Sequence, residues 1–425
     1  MTTETAFIMD TSQIKFGFGA THEVGHDMYA LGGKRVMVLT DPNLSNSEPV
    51  SITLTALSNV GIDAILFDQV RVEPTDVSFK QAIDFAVDGN FDGYVAVGGG
   101  SCMDTAKVAN LYATYPADFL TYVNSPIGQG EPVPGQLQPS IAIPTTAGTG
   151  SETTGVAIFD LLEMHVKTGI AHRSLRPSMG IVDPDNTRTL PKIVSACCGL
   201  DVLSHALESL TALSFDKRPA PKSPKYRPAY QGSNPISNLW ASRAIEMVSK
   251  NLVRAVECPS DDEARAQMLL ASTFAGIGFG NAGVHLPHGM SYPVAGMVRD
   301  YIPDGFPSPH PIVPHGMSVI LNAPAVFRFT ASTNPELHLY AAELMGADIS
   351  GAGPDDAGKM LANAIIKLMQ KTGIPNGLSE VGYVKADVDH LVAGTLPQHR
   401  VTKLSPQPAN AADLTELFLD SLTCW

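Results

Sequence analysis

From about Lys34 to Asp183, short apolar runs alternate with longer segments whose apolar residues recur at helical spacing. The pattern predicts strands over Val36 to Leu39, Ala64 to Phe67, Tyr94 to Val97, Ser140 to Ile143 and Met179 to Val182. Strands joined through helices must run parallel, because a parallel pair needs a crossover connection, so this half reads as an α/β unit. After Asp183-Pro184 and Pro191 the strand signal stops. Helical periodicity takes over in Ile193 to Leu213, Pro235 to Val256, Asp261 to Ala275, Met317 to Phe329, Pro335 to Met345 and Asp355 to Thr372. The predicted division is an α/β domain over residues 1–190 and an all-α domain over 191–425.

The helical half carries a metal-ligand pattern. Asp201 and His205 are four residues apart in a predicted helix, so they share one face. Two further histidines, His288 and His315, each sit in a Pro-His-Gly context. One carboxylate and three imidazoles suit a divalent first-row ion, iron(II) or alternatively zinc(II), with a coordination position left for substrate. Any one of the four also has an ordinary reading as a packed core residue or a helix-end turn.

The α/β half carries two loops of the kind that hold phosphate. Gly98-Gly99-Gly100-Ser101 follows a strand and opens a helix, and glycines there let backbone N–H groups approach an anion at the helix's positive end. Ser101 and Asp104 have the spacing of a capping box. The second loop, Pro144 to Glu152, offers the hydroxyls of Thr145, Thr146 and Thr149. Asp41, at the end of the first predicted strand, is placed to accept from a ribose diol and to repel a 2′-phosphate, favouring NAD over NADP; its other reading is a turn-capping Asp before proline. A GxGxxG match at Gly278, Gly280 and Gly283 is set aside, because no strand precedes it and a helix is predicted there. Its glycines are expected to serve close helix packing beside the His288 segment.

Composition narrows the partners. A net charge of −14 and a pI near 5.2 argue against nucleic acid or an anionic membrane. Five cysteines without a CxxC pair indicate neither a disulfide framework nor a thiolate metal site. No apolar run is expected to span a bilayer, and residues Met1 to Asp10 lack the charge and apolar core of a leader. Local basic residues must therefore draw any anionic substrate. Between Asp216 and Pro235 five prolines oppose helix and five basic residues cluster, among them Lys225 and Arg227. Arg227 is the candidate ligand for a substrate carboxylate, with a solvated surface loop as the plain alternative.

The segments GGGSxxDxAK (Gly98 to Lys107), PTTAGTGSE (Pro144 to Glu152) and DVLSHALE, with the two His-Gly-Met histidines, resemble the iron-containing, group III alcohol dehydrogenases. Within that family RVEPTD, RPAYQGSNPIS, AGIGFGNAGVHLPHGMSYP and GTLPQHRVTKLSP resemble the hydroxyacid-oxoacid transhydrogenase branch. The resemblance implies an N-terminal dinucleotide-binding domain and a C-terminal helical metal domain. It implies metal ligation by Asp201, His205, His288 and His315, and nicotinamide dinucleotide contacts at Asp41, Gly99, Gly100, Ser101, Thr145, Thr146, Thr149 and Lys167. Many family members have His where this chain has Tyr292, a departure that counts against a proton relay at that position; Tyr292 and His285 are the candidate catalytic residues, His285 as an imidazole relaying a proton near neutrality or, on its plain reading, as a histidine that packs or orients the ligand loop.

The implied reaction passes hydride from 4-hydroxybutyrate to 2-oxoglutarate through bound NAD(H), giving succinate semialdehyde and 2-hydroxyglutarate. An NAD-dependent alcohol or 4-hydroxybutyrate dehydrogenase that exchanges its cofactor is the near alternative, and a dehydroquinate-synthase-like lyase the alternative from another class. A homo-oligomer is expected. The location is expected to be the bacterial cytoplasm, or the mitochondrial matrix if the chain is a processed eukaryotic one.

Overall fold

The computed structural model describes residues 3–164 and 166–425, and the side chain of Lys225, one of the five clustered basic residues, lies outside what it describes. The chain divides into two compact units, Asp10–Leu190 and Met1–Met9 with Pro191–Trp425. The stretch ahead of Asp10 thus groups with the helical unit, whereas its place in the sequence put it with the first.

Six strands form the central sheet of the Asp10–Leu190 unit: β1 (Gln13–Phe16), β2 (Arg35–Leu39), β3 (Asp63–Phe67), β4 (Gly93–Gly98), β5 (Ser140–Pro144) and β8 (Met179–Val182). Their order is β1-β8-β5-β4-β2-β3, and every pairing is parallel. Val36, Val38, Val95, Val97, Ile141 and Ile143 pack into one core, while Met37, Leu39, Tyr94, Ala96 and Ala142 pack into another on the opposite face. With both faces covered, the inner strands β2, β4, β5 and β8 read as apolar runs rather than as alternations. All five predicted strands are present. β1 was missed because Gln13 and Lys15 dilute a four-residue edge strand that buries none of its residues fully. Also unpredicted is the antiparallel hairpin of β6 (Val156–Leu161) and β7 (Val166–Ala171), which carries Lys167.

In the helical unit, the Lys192–Thr211, Pro235–Glu257 and Asp262–Ala282 helices pack on one another. A Cβ on Gly278 would meet the Ser237 carbonyl at 3.2 Å, so this glycine allows the close helix contact expected of it. The segment read as one helix from Met317 to Phe329 is two, His315–Ile320 and Ala323–Thr330, broken just before Pro324. The Leu286–Gly296 helix was not foreseen, since its prolines and glycines hide the periodicity. Against expectation, the Lys192–Thr211 helix is long and apolar enough to cross a bilayer, but 83% of its apolar window is buried in the protein.

Candidate active site

Asp201 and His205 lie one turn apart on the buried Lys192–Thr211 helix, His288 near the start of the Leu286–Gly296 helix, and His315 at the first residue of the His315–Ile320 helix. Their ligand atoms all lie within 4.8 Å of one another. The Asp201 carboxylate is central: Oδ1 is 3.6 Å from His288 Nε2 and 3.8 Å from His315 Nε2, and Oδ2 is 3.9 Å from His205 Nδ1. These separations are too long for hydrogen bonds and leave room for an ion among them. The glycine after His315 has a packing reason, because a Cβ on Gly316 would fall 2.1 Å from the Cys197 carbonyl oxygen and 2.8 Å from the Asp201 Cβ. A larger residue would push the His315 helix off the helix that bears Asp201.

Ring orientation is set by packing. His205 stacks on Phe279 with centroids 3.9 Å apart and planes 6° apart, and its other neighbour is the His288 ring, 4.6 Å away. His288 Nδ1 lies 2.5 Å from Glu208 Oε1, so that nitrogen carries the proton and the Nε2 lone pair faces Asp201. His288 Nε2 is buried and has no hydrogen-bond partner among the described residues. A buried acceptor without a donor, beside a buried carboxylate, fits a divalent cation, and three imidazoles with one carboxylate form the donor set such an ion takes. The His315 side chain is 27% exposed, against 6% or less for the other three, so the cluster opens on its side.

Glu208 was not singled out from the sequence, although it stands seven residues from Asp201 and so on the same helix face. Its Oε2 accepts from the His285 backbone N–H at 2.6 Å. Burial works to raise its pKa, but the His288 imidazole and their hydrogen bond outweigh it and hold the carboxyl below its ordinary range. For His288 burial works downward and Glu208 outweighs it, leaving the imidazole above its ordinary value.

His285 does not meet its expectation of titrating near neutrality. The ring is fully buried, its Nε2 lies 3.0 Å from the Thr211 hydroxyl, and burial pushes its pKa down to about 4. Tyr292, one turn beyond His288, is also buried, and its hydroxyl accepts from Arg400 Nη2 at 2.8 Å. Arg227 is occupied: Nε and Nη2 both bind the Glu4 carboxylate, at 2.9 and 3.1 Å. A guanidinium fork already filled by a carboxylate is not free to bind a second, which counts against Arg227 as the substrate's ligand.

In the α/β unit the two glycine- and threonine-rich loops meet. A Cβ on Gly100 would lie 2.7 Å from Thr149 Cγ2, and one on Gly99 would lie 3.4 Å from Thr146. Gly99, Gly100, Ser101, Thr146 and Thr149 are partly open to solvent, while Thr145 is buried beneath them. The capping box read from Ser101 and Asp104 does not form. The helix begins at Gly100 with Gly99 as its N-cap, so no side chain covers the first-turn N–H groups, and Ser101 Oγ instead accepts from the Glu73 N–H. Asp104 and Lys107, motif residues without an assigned role, tie the loops together. Asp104 accepts from Ser151 Oγ at 2.7 Å and from the Ile158 N–H at 2.9 Å, and Lys107 Nζ reaches Ser151 Oγ and the Val156 carbonyl.

Asp41 is buried and accepts from the Asn43 N–H at 2.9 Å, the turn-capping geometry that was its alternative reading. Lys167 is buried between Glu73, 2.8 Å away, and Asp160, 3.1 Å away. Its ammonium is thus committed to two carboxylates within the protein.

The chain matches the family model described as iron-containing alcohol dehydrogenase over residues 11–184, and the C-terminal model of the Fe-containing alcohol dehydrogenase family over 229–422. It is 54% identical over 423 residues to the mitochondrial hydroxyacid-oxoacid transhydrogenase of Bos taurus, covering 99% of this chain and 91% of the relative. The enzyme of the same name from Homo sapiens gives the same identity and the same coverage, 54%, 99% and 91%. Among solved structures, a 1,3-propanediol oxidoreductase superposes with a TM-score of 0.86 at 28% identity, covering 98% of this chain and all of the other.

Proposed function

The chain belongs to the iron-containing alcohol dehydrogenase family, and from that premise we propose that it is a hydroxyacid-oxoacid transhydrogenase. It takes a hydride and a proton from a hydroxy acid, for which 4-hydroxybutyrate is the candidate, and delivers them to an oxo acid, for which 2-oxoglutarate is the candidate. The products are succinate semialdehyde and 2-hydroxyglutarate. The observation that carries this reading is the 54% identity, over 99% of the chain, to proteins bearing that name.

Asp201, His205, His288 and His315 hold the metal, which we take to be iron(II), and NAD(H) binds at the Gly99-Gly100 and Thr145 to Thr149 loops. When bound, the metal supplies Lewis acidity toward the substrate oxygen, and the nucleotide supplies the hydride acceptor and donor. The protein sets the rest. Glu208 holds the His288 tautomer, so a lone pair and not an N–H would face a bound ion. The uncapped N–H groups after Gly99 and the Thr146 and Thr149 hydroxyls receive the anionic part of the nucleotide. With one carboxylate among three neutral imidazoles, these four residues would leave a divalent ion a net positive charge. The mitochondrial names of its relatives favour the matrix as its location.

Purified, desalted protein given 4-hydroxybutyrate and 2-oxoglutarate tests the reading. Formation of succinate semialdehyde and 2-hydroxyglutarate without added nucleotide supports transhydrogenation. Strict dependence on added NAD would instead assign an ordinary NAD-dependent 4-hydroxybutyrate or alcohol dehydrogenase, the activity nearest to that named for the 1,3-propanediol oxidoreductase structure.

A further inference from the structure

A hydroxy acid differs from an alcohol by its carboxylate, and a protein of net charge −14 must draw that group with a local cation. Arg227 is filled by Glu4. Arg400 is not filled. Its Nη2 donates to the Tyr292 hydroxyl at 2.8 Å, its guanidinium carbon stands 5.2 Å over the Tyr230 ring, and its Nη1 is buried with no hydrogen-bond partner among the described residues. Tyr292 and Tyr230 are the side chains that interact with it most strongly, each also through a hydrogen bond. A buried guanidinium nitrogen without a hydrogen-bond partner is costly, and an incoming anion would satisfy it.

Its supports lead back to the metal ligands by two routes. Tyr292 follows His288 by four residues on the Leu286–Gly296 helix and so shares its face. Tyr230 packs edge-on against Phe279, the ring stacked on His205. The short His399–Thr402 helix is seated beside His288 because Gly289 leaves space for it; a Cβ there would lie 2.7 Å from Thr402 Cγ2. The Arg400 charge bears on the His288 imidazole, and together with Arg218 it also bears on the Lys403 ammonium.

We propose that Arg400, held by Tyr292 and Tyr230 beside the four-ligand cluster, binds the carboxylate of the substrate and so selects hydroxy and oxo acids over plain alcohols. This rests on the reading of the enzyme as one that acts on such acids. It also gives Tyr292 a positioning role, aiming the guanidinium.

The test compares metal-loaded wild type with R400Q in two measurements, after metal content and melting temperature show that both are folded and loaded. Calorimetric binding of succinate, which has the carboxylates but no reactive oxygen, should weaken roughly 10- to 100-fold in R400Q. The ratio of kcat/KM for 4-hydroxybutyrate to that for 1-butanol should fall by a similar factor, mainly through KM. If R400Q does not fold, R400K, which keeps the charge but loses the planar fork, should show the same fall in smaller degree. Equal succinate affinity in wild type and variant, an unchanged ratio, or no succinate binding by wild type would each overturn the proposal. Arg400-dependent succinate binding in a protein that transfers no hydride between the two acids would leave the site standing and remove the reaction.

Discussion

Glu208 and His288 are joined by a 2.5 Å contact between Oε1 and Nδ1, entirely within the protein interior. That contact decides which imidazole nitrogen faces Asp201, so the proposed metal centre depends on a residue outside the four-residue cluster. Glu208→Gln keeps the shape but removes the charge that favours the Nδ1 proton. Metal affinity should drop by about 10- to 100-fold, as is typical when a partner of a ligating histidine is lost. Metal retained after dialysis against a graded chelator series measures this, and retention equal to wild type would remove the role.

His285 is neutral across the physiological range, since burial holds its pKa near 4. His285→Ala removes an enclosed ring and leaves the Thr211 hydroxyl without that partner. The expected result is a stability loss of about 2–4 kcal/mol in denaturant titration with metal still bound. Full stability combined with a collapse of kcat alone would return His285 to a proton-carrying role.

Gly100→Ala tests the nucleotide cradle. The added methyl would meet Thr149 Cγ2 at 2.7 Å and Oγ1 at 3.0 Å, forcing apart the two loops that offer N–H and hydroxyl donors. NADH binding, followed by nicotinamide fluorescence, should weaken at least tenfold, which corresponds to about 1.4 kcal/mol. Metal content, governed by the other unit, should be unaltered; unchanged NADH affinity would place the nucleotide elsewhere.

The Glu4–Arg227 pair should appear in the acid limb of stability. The Arg227 hydrogen bond lowers the Glu4 pKa from 4.5 to about 2. A carboxyl whose pKa is depressed on folding contributes its full stability above the unfolded value and loses it as pH falls through the folded one. The contribution should therefore be complete above about pH 4.5 and should fade toward pH 2. Arg227→Met should flatten the melting-temperature slope in that window while shifting the plateau above it downward. Parallel curves for both proteins would show that the pair contributes nothing.

Much of this was legible along the chain. The apolar runs at Val36 to Leu39 and Tyr94 to Val97 could be read as strands because both sheet faces are buried, so burial wrote itself into consecutive residues. Asp201 and His205 could be paired because helical spacing alone puts them on one face. The glycines beside them and in the loops mark approaches too close for a side chain, as at Gly316 and Gly100. Local rules were less reliable where a polar residue had two readings. Asp41 capped its turn, and Ser101 lay inside the helix it was expected to cap.

By itself, then, the sequence determined the two kinds of domain, five strands of the central sheet and the pairing of Asp201 with His205 on one helix face, because each of these depends on spacing within one element. Only the tertiary structure decided that Glu208 orients His288, that Glu4 fills Arg227, and that Arg400 carries an unfilled guanidinium nitrogen beside the ligands. Glu4 and Arg227 are separated by 223 residues, Arg400 and Tyr292 by 108, and Glu208 and His288 by 80. At those separations no periodicity couples one residue to another; the partners meet because helices pack, and packing is set by the whole core.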